Sequence, residues 1–338
     1  MIYGGCFLVS VGILIWVIAH VSDFRVTEAM LAVVTTVGNG GYYALSRAKC
    51  LEEAILANKL IYLIGIFLPF FSFILICELC KKALNASIVG ILLIIQVIIY
   101  FSVCTIGENS LFYTDVSFYM GPMGGYLVKS YGPLHTVYLV TLCAYLLGNI
   151  AVMFVNMVRE NVVSASTSEY IIASNMILLV CYGVERAIKL NIELMPIIFT
   201  VSLLLYLHPI VKLHKYAIGD NYNIVRDKLD ESGYIVFSNR LNYMNCNDKA
   251  RELFPELNDW KLEKRIPGNG GRFNTFLRQP LMRYVEGAEL DNATGNNFNL
   301  DNQTFHVIIR DLYVNNLKKN RCGYIIEIEN VTHIVSEQ

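Results

Sequence analysis

The chain has 338 residues, a formal net charge of −1 and nine cysteines, and 16% of its residues are charged. That charged fraction averages a nearly uncharged first half and a polar, charge-mixed tail, which excludes a single soluble globular domain. The near-zero net charge neither favours nor opposes nucleic acid, and no nucleic-acid partner is expected. A disulfide framework is not expected either, because most cysteines lie inside apolar runs, where cysteine behaves as a small hydrophobe.

Seven apolar runs before residue 212 are each long enough to cross a bilayer. A hydrocarbon core of about 30 Å requires about 20 helical residues. Segments 60–68 and 88–95 are apolar on every face, whereas buried helices of soluble proteins are usually shorter and amphipathic. The second run is the weakest, because residues 35–41 are mostly glycine, threonine and asparagine. The predicted membrane helices are Ile2–His20, Ala29–Ser46, Ile55–Cys77, Ala86–Ile106, Leu134–Val158, Tyr170–Ala187 and Leu194–Val211.

Positive charge begins only after the first predicted helix. No lysine or arginine precedes Arg25, so the positive-inside rule favours an N-terminus outside the cell. A cleaved signal peptide would need a basic residue before its apolar stretch. Seven crossings then place the C-terminal third in the cytoplasm, and the helices are expected to contact membrane lipid.

Ionisable residues are nearly absent from the interiors of the predicted helices. Lys59, Glu78 and His208 lie near predicted helix ends, where long side chains reach water. Ion-coupled pumps need such groups deep in the membrane, so the sequence argues against them. Glu185 and Arg186 near the end of the sixth helix form either a solvated pair, which is favoured, or a functional pair.

The longest loop, residues 107–126, joins the fourth and fifth helices and is predicted to face outside. Its alternating residues and the Gly121-Pro122 break predict a short hairpin or an amphipathic segment over the helix ends. Its aromatic side chains either wall a ligand site or form an interfacial belt. The candidate ligand-binding residues here are Phe112, Tyr113, Tyr119, Tyr126, Tyr131 and His135.

A Tyr-rich loop leads through Tyr131-Gly132-Pro133-Leu134-His135 into the fifth of seven helices, ahead of a cytoplasmic domain. This arrangement resembles the seven-transmembrane N-terminal sensor region of bacterial histidine kinases and diguanylate cyclases, over about residues 2–215. The resemblance implies a signal-input module in the bacterial cytoplasmic membrane, with an unknown small-molecule ligand, joined to a signalling output.

The tail opens with a strand pair and a helix. Ile235 and Phe237 alternate onto one face, Asn239-Arg240 makes the turn, and Asn247 or Asp248 caps the next helix. Residues 271–286 are predicted to form one longer helix that Pro280 breaks or kinks. Strand patterns around residues 305–309 and 324–328 follow, with a polar hairpin at 315–321.

Two strands, helices and then three strands is an order that resembles a PAS domain, over about residues 226–335. The candidate pocket residues are Ile235, Phe237, Phe276, Phe305, Val307, Ile309, Tyr324 and Ile326. A packed core is favoured over an occupied pocket, and no cofactor is expected. Cys246 lies at a strand end, unlike the reactive cysteine of flavin sensors, and His306 is predicted to point away from Phe305 and Val307.

The predicted fold is therefore a multi-domain membrane protein: an all-α seven-helix transmembrane bundle followed by a soluble α+β PAS-like domain with an antiparallel sheet and flanking helices. The predicted domains are a sensor at 1–211, a connecting helix or linker at 212–228 and a cytoplasmic PAS-like domain at 229–335. A homodimer is expected, with contacts in the segment that holds Tyr222, Ile224, Val225 and Leu229.

The favoured function is a membrane sensor in a two-component or cyclase pathway. Because no kinase, cyclase or phosphodiesterase motif is present, no catalytic residue is expected in the chain, and the output is expected from a following domain or a partner protein. Cys77 and Cys80 have the spacing of a metal or redox pair but no second pair or histidine cluster, so no metal site is expected. The alternative is a transporter or lipid-handling protein with a regulatory PAS-like tail.

Overall fold

The structure is a computed structural model that describes residues 2–20, 25–160, 162–188, 193–216, 231–268, 271–287, 297–313 and 321–332. The chain forms two compact units, Met1–Pro209 and Ile210–Gln338. The predicted dimer contacts at Tyr222, Ile224, Val225 and Leu229, most of the linker and most of the 315–321 hairpin lie outside the described residues.

The described residues contain seven long helices before residue 216, and each corresponds to a predicted span. Six of these helices are long and apolar enough to cross a membrane, and α2 is the exception. This agrees with the prediction that the second run is the weakest. The helices are α1 Ile2–Ala19, α2 Val26–Arg47, α3 Leu51–Leu79, α4 Ala86–Cys104, α5 Pro133–Val155, α6 Ala165–Ile188 and α7 Met195–Lys215.

Helices α1 and α4 expose most of their apolar side chains. Leu8 and Ile15 on α1 and Ile98 and Phe101 on α4 are each more than 60% exposed. Such surfaces are unfavourable in water and are stable in lipid, where the helical backbone already satisfies its own hydrogen bonds. Helix α3 is different, because 72% of the residues in its most apolar stretch are buried inside the bundle.

Small and polar residues let α2 pack closely on α3. A Cβ atom on Gly41 would lie 2.9 Å from the backbone nitrogen of Ile61 and 3.0 Å from the carbonyl oxygen of Ala57. Asn39 is fully buried, and its Nδ2 donates to Thr200 Oγ1 on α7 at 2.9 Å. The residues that make α2 a weak membrane span therefore face other helices rather than lipid.

A β-hairpin joins α4 to α5, as predicted, although it extends further than the expected segment. Strand β1 spans Tyr113–Gly121 and β2 spans Gly124–Tyr131, paired in antiparallel register. Gly124 has a φ of +113° and lies against the carbonyl group of Ser46, so a side chain would be strained there for two reasons. The hairpin is thus held against the C-terminal end of α2.

The second unit is an α+β domain with an antiparallel sheet, which confirms the predicted fold class. Within the described residues the sheet has five strands in the order β4-β3-β7-β6-β5. The elements are β3 Gly233–Ser238, β4 Tyr243–Cys246, α8 Asp248–Leu253, a 3-10 turn Pro255–Asn258, α9 Gly271–Phe276, α10 Arg278–Val285, β5 Asn297–Leu300, β6 Gln303–Tyr313 and β7 Arg321–Asn330.

Two local predictions in this unit can be compared directly with the structure. Asn247 caps α8, because its Oδ1 accepts from the backbone N–H of Ala250 at 3.0 Å. Residues 271–285 are helical as predicted except at Leu277, so the break lies at Leu277, between α9 and α10, and not at Pro280. Pro280 does not cause the break; it is the third residue of α10, where a backbone N–H would have no partner within the helix.

One face of the sheet packs against α8, α9 and α10 to form the core of this unit. Seven of the eight candidate pocket residues are buried in that core, and Phe276 packs at its edge with its ring centroid 4.9 Å from that of Phe298. His306 lies on the opposite face from Phe305 and Val307, as predicted, and its Nδ1 is 2.6 Å from Asn297 Oδ1.

Candidate functional site

A cavity of about 520 Å³ lies in the first unit, between β2 of the hairpin and the ends of several helices. Helices α2, α3, α5, α6 and α7 each contribute to its wall. Among the described residues its lining includes six tyrosines and three charged side chains. The tyrosines are Tyr42, Tyr62, Tyr126, Tyr131, Tyr138 and Tyr182, and the charged residues are Lys129, Glu185 and Glu193. This volume lies in the range of sites that bind small molecules.

A hydrogen-bonded group from α3 and β1 forms one wall. Tyr62 and Tyr113 place their hydroxyl oxygens 2.7 Å apart, and Asn58 Nδ2 donates to the Tyr113 hydroxyl at 3.2 Å. Asn58 is fully buried and lines the cavity, and its Oδ1 has no hydrogen-bond partner among the described residues. Burial raises the pKa of Tyr113 above its ordinary value, so this phenol stays protonated and able to donate.

Aromatic packing behind this wall fixes the start of α5. The ring of Tyr131 lies 4.0 Å from that of His135, and Phe112 and Tyr138 contact the same imidazole at 5.4 and 5.5 Å between centroids. His135 is 1% exposed. Tyr131, the last residue of the hairpin, therefore packs on His135 in the first turn of α5.

The charged side chains lie at one part of the cavity wall. Lys129 Nζ is 3.6 Å from Glu193 Oε1, and Glu185 Oε1 accepts from the backbone N–H of Leu194 at 2.8 Å. Burial lowers the pKa of Lys129, but the neighbouring oxygens of Tyr113 and Glu193 raise it by more, so this ammonium stays charged. The carboxyl groups of Glu185 and Glu193 are themselves close enough to interact.

The six residues predicted for this site take different positions. Tyr126 and Tyr131 line the cavity. Phe112, Tyr113 and His135 are buried behind the lining. Tyr119 is 51% exposed on the hairpin, with its ring stacked on Tyr126 at 6.0 Å. The aromatic residues thus serve both as a wall and as an exposed surface, and ligand binding by them stays a prediction.

Glu185 lies near the end of the sixth helix, as interpreted from the sequence, but its side chain is only partly exposed. Glu185 lies on the cavity wall, where the turn into α7 gives its carboxylate a backbone N–H, and the side chain of Arg186 lies outside the described residues. Sequence reasoning also missed Asn58 and Tyr62. These two polar residues are four apart in an apolar helix and hence share a face, which is the signal that identifies them.

A second polar cluster lies inside the bundle. Asn149 Nδ2 on α5 donates to Ser72 Oγ on α3 and to Asn175 Oδ1 on α6, both at 2.9 Å. Asn175 Nδ2 in turn donates to the hydroxyl of Tyr206 on α7 at 2.7 Å. Interhelical hydrogen bonds in membranes contribute on average about 0.6 kcal/mol each. Because this cluster joins four helices, a shift of one helix strains hydrogen bonds that hold the other three.

A family model described as the N-terminal 7TM region of histidine kinase matches residues 3–218, which is more than half of the chain. The chain belongs to this family. The match covers all seven helices, the hairpin and the cavity, so the first unit is the seven-transmembrane region of a membrane sensor in signal transduction. A comparison with curated proteins found no match.

Proposed function

We propose that the chain is the input half of a bacterial sensor histidine kinase, in which the cavity receives a small molecule from outside the cell and the second unit relays the signal in the cytoplasm. The observation that carries this proposal is the position of the cavity within the 7TM region. Its lining comes from five helices and the hairpin at once, so a ligand there contacts most of the elements that can move.

Helix α7 offers a route from this cavity to the second unit. Met195 and Phe199 near the start of α7 line the cavity. Tyr216 follows α7 and belongs to the second unit. Its hydroxyl donates to the backbone carbonyl of Cys322 at 3.2 Å, and its own backbone carbonyl accepts from Asn245 Nδ2 at 3.3 Å. A displacement of α7 toward one of two packings therefore reaches strands β7 and β4 directly.

We further propose that the second unit is a PAS-like relay with no catalytic centre. Its strand order and the helices between its second and third strands support this assignment. The proposal includes a homodimer and a kinase reaction performed by a domain of the same polypeptide or of a partner protein. The family described for residues 3–218 supports a histidine kinase over a diguanylate cyclase as the output.

Cysteine labelling tests the orientation that this function requires. Ser130 is exposed and lines the cavity, whereas Asp259 is exposed in the second unit. In a background with the exposed Cys50 and Cys143 replaced by serine, Ser130→Cys should react in intact cells with a membrane-impermeant methanethiosulfonate that carries a trimethylammonium group. Asp259→Cys should react only after permeabilisation. The reverse pattern would place the cavity in the cytoplasm and contradict a receptor for external signals.

A further inference from the structure

Within the described residues, the wall of the cavity has more carboxyl groups than ammonium groups. Its charged lining within the described residues is one ammonium group, on Lys129, and two carboxyl groups, on Glu185 and Glu193. Lys129 is already paired with Glu193 at 3.6 Å. The carboxyl groups of Glu185 and Glu193 are close enough to interact, so the pair holds a proton that a cationic ligand can replace, whereas an anionic ligand would add a like charge beside them.

Asn58 contributes a second polar feature beside the cavity. Asn58 is fully buried and lines the cavity, and in the part of the chain that the structure describes its Oδ1 accepts no hydrogen bond. Buried acceptors are almost always paired, because an unpaired one loses its hydration without compensation. Since Asn58 has no exposed surface, its oxygen meets a ligand only when the side chain moves, and any donor group then satisfies it.

The remaining lining suits an apolar or aromatic body. The rings of tyrosines such as Tyr42, Tyr62 and Tyr138 face the cavity from three helices, and aromatic faces attract cations as well as apolar groups. Gly65 keeps this part of the space open, since a Cβ atom there would lie 2.6 Å from the hydroxyl of Tyr138.

We infer that the cavity binds a small organic cation, a protonated amine carried on an apolar or aromatic body. The ammonium group takes the place of the proton held between Glu185 and Glu193, and the body packs among the tyrosines. This inference deepens the proposed function and rests on it, because it names the chemical class of the signal received at the same site.

Binding of three phenol probes that differ in the charge of their side chains, measured with the full chain in lipid nanodiscs, tests this inference. The probes are tyramine, its neutral alcohol analogue tyrosol and its anionic analogue hydroxyphenylpropanoate, each titrated by calorimetry at pH 7. Tyramine should bind at least about tenfold more tightly than tyrosol, and the acid should bind most weakly. Equal affinities, tighter binding of the acid, or no binding of tyramine at millimolar concentration would overturn the inference.

Matched variants assign the effect to the residues named. Glu185→Gln keeps an acceptor for the Leu194 N–H, so it should leave tyrosol binding unchanged and weaken tyramine by about tenfold. Glu108→Gln changes an exposed glutamate between α4 and β1 that is not part of the cavity lining, and it should change neither. Binding is measured without any signalling readout, so tight tyramine binding with an unresponsive second unit contradicts the proposed function and leaves this inference standing.

Discussion

Replacing Phe237 by alanine is expected to remove most of the stability of the second unit, with a loss of about 3–5 kcal/mol in the free energy of unfolding. Phe237 lies on β3, next to β7 in the sheet, and its side chain is fully buried. Its ring packs 5.7 Å from that of Phe273 and 6.4 Å from that of Tyr243. Domains of this size are stable by only about 5–15 kcal/mol, so the cavity left by the substitution consumes a large part of the total.

Urea unfolding of the full chain in nanodiscs, followed by the fluorescence of Trp260, measures this effect. Trp260 is 5% exposed and lies in the same core, with its ring 4.9 Å from that of Phe273. Trp16, the other tryptophan, is replaced by phenylalanine to remove its signal. Met282→Ala removes a side chain that is 37% exposed and should shift the midpoint little. Equal midpoints for the two variants would contradict the packing described for β3.

Replacing Gly41 by leucine is expected to separate α2 from α3 and to abolish the cavity. The new Cβ would lie 2.9 Å from the backbone nitrogen of Ile61 and 3.0 Å from the carbonyl oxygen of Ala57. Because these are backbone atoms, no rotamer change can relieve the contact, and the cost is about 1–3 kcal/mol or more. Tyr42 follows Gly41 and lines the cavity, so its displacement opens that wall.

Thermal stability and tyramine binding of the nanodisc-embedded chain measure this second effect. Gly12→Leu on α1 is the matched control, because its Cβ would meet no atom within 4 Å. We expect Gly41→Leu to lower the melting temperature and to lose probe binding, and Gly12→Leu to keep both. A Gly41→Leu protein with the stability and binding of the wild type would show that α2 and α3 do not pack as described.

The helices could be predicted from the sequence because length and hydropathy reflect the lipid environment of each span separately. Helix α2 shows the limit of this reasoning. Its polar residue Asn39 lowers the hydropathy of the run, yet Asn39 is buried and bonded to Thr200 on α7. Hydropathy measures how well a segment suits lipid and contains no information about contacts between helices. For this reason α2, which packs closely on α3 and is bonded to α7, has the weakest membrane-span signal in the sequence.

The cavity could be predicted only in part, because it depends on residues far apart in the chain. The aromatic loop identified Tyr126 and Tyr131, which are close in sequence to each other. Glu185, Asn58 and Tyr62 come from other helices, and the separation of 127 positions between Asn58 and Glu185 leaves no local pattern that joins them. The pair Asn149 and Asn175 is neutral, so an absence of ionisable residues in the helices gives no sign of it. Its hydrogen bond nevertheless links α5 to α6.

In the second unit, alternation predicted the faces of the strands because a two-residue period fixes which side chains enter the core. Ile235 and Phe237 are both fully buried on the predicted face. The break at Leu277 was placed wrongly at Pro280, since proline disrupts a helix interior but is tolerated in the first turn, and only the tertiary fold sets where that turn begins.

Occupancy of the cavity is expected to change the state of the second unit. Hydrogen–deuterium exchange of the full chain in nanodiscs, before and after the thiol reagent is attached to Ser130→Cys, tests it most directly. Thr114→Cys is the control, because Thr114 is exposed on β1 and the cavity lining does not include it. We expect altered protection in β7, whose Cys322 carbonyl accepts from Tyr216, only when Ser130→Cys is modified. Unchanged exchange throughout residues 231–332, with the cavity shown by mass to be fully labelled, would contradict the account.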